Sequence, residues 1–99
     1  MRLAPHQVQT IKGEVHSLLG EDARVWLFGS RADDAARGGD IDLFVETDRP
    51  IANRAETASR LAARLQLRLG DQRIDVVLVD PQTQAQPIHS AAKETGVPL

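Results

Sequence analysis

The chain has 99 residues, of which 12 are basic and 14 acidic, with 41% hydrophobic and 3% aromatic side chains and no cysteine. That length holds one domain, residues 1–99, with one modest core. The longest apolar runs are four residues, such as Val76-Val77-Leu78-Val79, against the ~20 that a membrane span needs. Disulfides and thiolate metal sites are excluded, and Met1 to Thr10 lacks the apolar stretch of a secretory signal. A cytoplasmic protein with no membrane contact is therefore expected.

The net charge of −2 argues against a protein held mainly by nucleic-acid phosphates, and direct nucleic-acid binding is not expected. The charge is unevenly spread. Residues 1–48 balance to −4, residues 49–73 to +4 and residues 74–99 to −2. An acidic front and a basic middle suggest two surfaces with different partners.

Pro5 is a helix-start signal, and Val8, Ile11, Val15, Leu18 and Leu19 fall at helical spacing between His6 and Leu19. Gly20 stops that helix. Arg24 to Phe28 is short, β-branched or aromatic, and reads as a buried strand. Gly29 to Gly39 is a connection rich in Gly, Asp, Ala and Arg. Asp40 to Glu46 then alternates, with Asp40, Asp42 and Phe44 on one face and Ile41, Leu43 and Val45 on the other, which predicts a strand.

Pro50 opens the next element, in which Ile51, Ala55, Ala58, Ala62, Leu65 and Leu69 form the apolar stripe of a helix ending at Gly70. Arg73 to Val79 is a third strand closed by Asp80-Pro81, and Gln84 to Thr95 is a last helix ended by Gly96. The short link between the first two strands permits antiparallel pairing. The helix between the second and third suits a parallel crossover. The expected architecture is α+β, a small mixed sheet with helices packed mainly on one face.

Three carboxylates are candidates to carry chemistry, against the alternative that Asp40 simply begins the strand and Asp42 lies on a solvated face. Asp40 and Asp42 project from the same face of one strand, roughly 6–7 Å apart. Unpaired, two such groups repel and one pKa rises; a divalent cation removes the conflict, and oxygen-only ligands select Mg²⁺ or Mn²⁺ over zinc. Gly29-Ser30 follows directly on a buried strand, where a small residue lets a phosphate approach the backbone and a hydroxyl is at hand. Asp75 reads as a charge inside an apolar strand, costly unless bound to a metal or paired with Arg73 or Arg24.

Gly29-Ser30-Arg31-Ala32, followed after nine residues from Ser30 by Asp40-Ile41-Asp42-Leu43, resembles the nucleotidyltransferase motif of the DNA polymerase beta superfamily. The size and the ending, Ile88 through Glu94-Thr95-Gly96-Val97-Pro98-Leu99, look like its minimal nucleotidyltransferases (MNT). The resemblance implies the nucleotidyltransferase, polymerase beta palm-like fold. It implies phosphate contacts from Gly29 and Ser30 and catalytic metal-binding acids at Asp40, Asp42 and Asp75; Arg31 and Arg37 are candidates to neutralise phosphate charge, with an exposed loop arginine as the alternative for each. Two Mg²⁺ ions (or Mn²⁺) and ATP as substrate follow from the same likeness. Where relatives often carry a basic residue and a glycine after Arg-Ala, this chain has Asp33-Asp34.

Minimal nucleotidyltransferases are typically paired with all-helical HEPN proteins, often RNA-cleaving toxins. The implied function is thus that of an antitoxin, transferring AMP from ATP to a hydroxyl, a tyrosine's by preference, of a HEPN toxin in a hetero-oligomer. The alternative is a non-catalytic antitoxin that masks the toxin by contact. No Walker-type Gly-x-x-x-x-Gly-Lys-Ser/Thr is present, and His6, His16 and His89 show no paired metal spacing. Arg60, Arg64 and Arg68 recur every four residues, either as a solvated helix face or as a docking face for an acidic partner. With only Trp26, Phe28 and Phe44 as aromatics, a base-stacking platform lacks material.

Overall fold

The computed structural model describes residues 3–29, 39–70, 72–83 and 87–99. The first helix, α1 (Pro5–Leu19), starts where the sequence signals it. Proline at the first helical position lacks only an N–H that no intrahelical acceptor would meet, and the Gln7 side chain accepts the Ala4 N–H at 2.8 Å. Gly20 ends the helix with φ of 97°, its N–H donating to the His16 carbonyl at 2.9 Å. Strands β1 (Arg24–Phe28) and β2 (Ile41–Glu46) follow and pair antiparallel, Trp26 opposite Phe44 and Phe28 opposite Asp42.

Helix α2 spans Arg54–Leu69, so it begins after Pro50 and Ile51 rather than with them. The reason is twofold. Asn53 caps the helix, its side chain accepting the Glu56 N–H at 3.0 Å. Ile51 is held outside it, its N–H donating to Asp80 at 2.7 Å while its side chain packs against the core. Ala55, expected in the apolar stripe, is consequently exposed, and the buried positions are Leu61 and Leu65.

Strand β3 (Ile74–Val79) runs parallel to β2, in the register Ile41–Ile74, Asp42–Asp75 and Phe44–Val77. Helix α3 (Pro87–Thr95) and the two-residue β4 (Val97–Pro98) complete the chain, and the sheet order is β3-β2-β1-β4. The last helix starts at its proline, three residues after Gln84, and residues 84–86 lie outside those described. Nothing in the sequence signals β4, which pairs only through Trp26–Pro98 and Leu27–Val97. Gly96 permits that return, because a Cβ there would collide with the Ala92 carbonyl and crowd that of Leu27 at 3.0 Å.

The period of two sorts the sheet into unlike faces. One carries Val25, Leu27, Ile41, Leu43, Val45, Ile74 and Leu78, and α1 and α2 close it with Ile11, Val15, Leu61 and Leu65. The two long helices thus share one face, as expected. The opposite face carries Trp26, Phe28, Phe44, Val77 and Val79, and the short α3 covers its far end through Ala92. There His89 lies against Phe44, with ring centroids 5.7 Å apart, and Lys93 sits 5.4 Å from the Trp26 ring while pairing with Glu46 at 2.7 Å.

Candidate active site

The end of that second face away from Glu46 is where the acids gather. The parallel register makes Asp42 and Asp75 direct neighbours on adjacent strands, and strands lie about 4.8 Å apart. Asp40 stands one residue before β2, exposed, and two positions from Asp42 on the same side. Burial, then the Asp75 charge, then the Asp40 charge push the Asp42 carboxyl above its ordinary range, with Arg73 opposing them. Both neighbouring carboxylates therefore act on Asp42, a repulsion that a cation would relieve.

Gly29 closes β1 on the other side of Asp42. Its φ is 73°, a left-handed conformation that L side chains rarely adopt, and a Cβ at this position would run into the Asp42 carboxylate. Both constraints require glycine. They let the Asp42 carboxylate lie directly against the backbone at the end of β1. Ser30 and Arg31, and Arg37 after them, lie outside the described residues.

Asp75 departs from the sequence expectation. It is not buried: about half of its side chain is exposed (49%), because β3 is the outer strand of the sheet and the acid lies on the face that α1 and α2 leave uncovered. Its partner is Arg73, Nε to Oδ2 at 3.2 Å. Arg24 is engaged at the opposite end of the sheet with Glu46 at 2.7 Å. Among the described residues, no three acidic or histidine side chains are oriented to hold one ion together. The donors are all oxygen, a chemistry that suits a hard divalent ion rather than zinc.

A model of the nucleotidyltransferase domain family matches residues 8–94, from the first helix through the acids to the last helix. The chain belongs to that family. No curated protein matches it. In this nucleotidyltransferase domain the family match spans Gly29, Asp40, Asp42 and Asp75 together with every element that positions them except β4.

Two further polar constellations are structural. Asp80 has a buried side chain and accepts the Ile51 N–H at 2.7 Å, the Gln82 N–H and the Thr83 hydroxyl at 3.0 Å, and Arg54 at 3.2 Å. The Ile51 bond foremost holds its carboxyl below the usual range against the opposing effect of burial, with Thr83, Gln82 and Arg54 adding to it. The signal missed in the sequence is Asp-Pro-x-Thr, a turn in which the Asp carboxylate accepts from the residues just after the proline.

The arginine stripe is committed within the fold. Arg64 and Arg68 both reach the buried Glu14 of α1, at 3.0 and 2.8 Å, and Arg60 pairs with Glu56 at 3.1 Å. Arg64 and Arg68 brace α1 against α2, leaving less free positive charge for an acidic partner than the spacing suggested. The histidines stay apart, His6 exposed, His16 half-buried and His89 against Phe44.

Proposed function

We propose that this domain transfers AMP from ATP to a hydroxyl group on a partner protein, as the antitoxin of a HEPN/MNT pair. The observation that carries the reading is the register pairing Asp42 with Asp75 on the sheet face that α1 and α2 leave uncovered, beside a glycine whose missing side chain lets the Asp42 carboxylate lie against the backbone. Asp40, Asp42 and Asp75 are assigned the Mg²⁺ ions. Gly29, Ser30 and Arg31 are assigned the triphosphate. Bound metal would lower the acceptor hydroxyl's pKa and offset the charge of the departing pyrophosphate.

The acceptor oxygen attacks the α-phosphorus, the bond from that phosphorus to the β-phosphate bridge breaks, and pyrophosphate leaves. Asp75, half exposed on the outer strand, is assigned a share in removing the hydroxyl proton. Among the described residues, Asp40 and Asp75 are exposed and Asp42 is half-buried. An open site of this kind suits an acceptor carried on another folded chain, where a tyrosine hydroxyl can be presented in line.

The experiment supplies ATP labelled at the α-phosphate, Mg²⁺ and a co-expressed helical partner to wild type and Asp42→Asn. Label is expected on the partner with wild type, and a loss of more than ~100-fold with the variant, since even partners outside the ligand shell cost up to that much. A stable complex that is neutralised without label transfer would replace the enzyme with a masking antitoxin.

A further inference from the structure

Among the described residues, Arg73 is the basic side chain that the fold brings onto the acids. Its carbonyl accepts the Ile41 N–H at 2.9 Å, a bond that ties the start of β3 to the start of β2. Because Ile41 is in register with Ile74, Arg73 is set beside Asp40. The period of two puts its side chain on the same face as Asp75, and the two meet at 3.2 Å. One residue thus lies alongside the first acid, contacts the third, and has the second across the strand pair.

The contact is open to water, with 72% of the Arg73 side chain and 49% of that of Asp75 exposed. An ion pair of this kind contributes little to folding and breaks readily. The charge itself is permanent, since a guanidinium does not deprotonate in proteins. A pair that adds little stability yet sits on a cluster of acids is better explained by what it does to a cation arriving there.

We infer that Arg73 is a built-in counter-cation of this site: it holds the Asp75 carboxylate while no metal is bound, yields it to an incoming divalent ion, and thereby sets the ion concentration at which the site fills. The inference rests on the reading that Asp40, Asp42 and Asp75 hold metal. It makes Arg73 a positioning residue acting through Asp75. Its removal should therefore tighten metal binding, whereas loss of a residue that merely supports the fold would weaken it.

The test is Mn²⁺ binding to the purified full chain without nucleotide, with free Mn²⁺ followed by electron paramagnetic resonance and folding checked by circular dichroism. Wild type, Arg73→Gln, Arg73→Lys and Asp75→Asn are compared. Arg73→Gln is expected to bind about 3- to 10-fold more tightly, the effect of removing one unit charge several ångströms away in a high-dielectric setting. Arg73→Lys, which keeps the charge, should stay near wild type, and Asp75→Asn should bind more weakly.

Binding by Arg73→Gln equal to or weaker than a binding wild type overturns the counter-cation role and leaves the metal site standing. Uptake by Arg73→Gln alone supports the role in its strongest form. No uptake by either protein overturns the metal reading and the inference with it. A misfolded Arg73→Gln leaves the comparison to Arg73→Ala, for which the same tightening is expected and unchanged or weaker binding overturns the role.

Discussion

Strand β3 has an aspartate near each end, and the two could hardly be treated more differently. Asp80, just past its C-terminal end, is wrapped by Ile51, Gln82, Thr83 and Arg54, and its carboxyl is held below the ordinary range. Asp75, at the second position, faces Asp42 across the strand pair, and Asp42 is pushed above the ordinary range. Donors around a carboxylate mark a group whose work is within the fold. Carboxylates around a carboxylate mark one whose partner comes from outside. On the function proposed above, the contrast separates structural from functional acids in a chain that carries 14 acidic residues.

Breaking the satisfied acid should have the largest effect on stability. Asp80→Ala strips the partner from the Ile51 N–H and from Arg54 together, freeing the segment that leads into α2. Thermal unfolding should show the largest fall in midpoint of the variants named here. A midpoint near wild type would mean that the capped helix, not the buried carboxylate, anchors that segment.

An intermediate effect is expected at the glycine beside the other acid. Gly29→Ala places a Cβ against Asp42 and keeps the left-handed backbone, a conformation that costs an L residue about 1–2 kcal/mol. Urea unfolding should register a loss of at least that size. An unchanged midpoint would show that the turn can move away from Asp42.

The smallest effect has the opposite sign. Asp42→Asn removes a charge that burial and two acids disfavour, so the variant should melt slightly above wild type at neutral pH while losing transfer activity. The pH dependence sharpens the contrast. A raised folded pKa means that the native state binds the proton first, so the Asp42 penalty develops as pH rises from the ordinary value of 3.8 through the raised one. The advantage of Asp42→Asn should thus shrink as pH falls towards 3.8. Asp80 behaves inversely: its stabilisation is fully present above 3.8 and is lost below it, through the lowered folded pKa. Melting curves of wild type, Asp42→Asn and Asp80→Ala between neutral pH and pH 3 would separate the two.

Local pattern made much of this legible. The strand alternation in Ile41–Glu46, the glycine that ends each long helix and the crossover between β2 and β3 all follow from short-range rules, and the structure agrees with them. The spacing from Gly29 to Asp40 and Asp42 was readable for the same reason. What could not be read depends on distant partners. Asp75 looked buried because its neighbours in sequence are apolar, but exposure is decided by strand order, and nothing local says that β3 is outermost. The start of α2 was misplaced because Ile51 is held by a carboxylate 29 residues away. The pairing of Arg64 and Arg68 with Glu14 likewise joins helices whose contact no spacing within one helix reveals.

The outer position of β3 has one more consequence. A sheet border presents backbone donors and acceptors to solvent and can template the addition of another chain's strand, which charged side chains on the border discourage. Arg73 and Asp75 stand at the start of this border, ahead of the apolar run Val76 to Val79. The two charges proposed to tune the site would thus also discourage edge-to-edge pairing of two chains along β3.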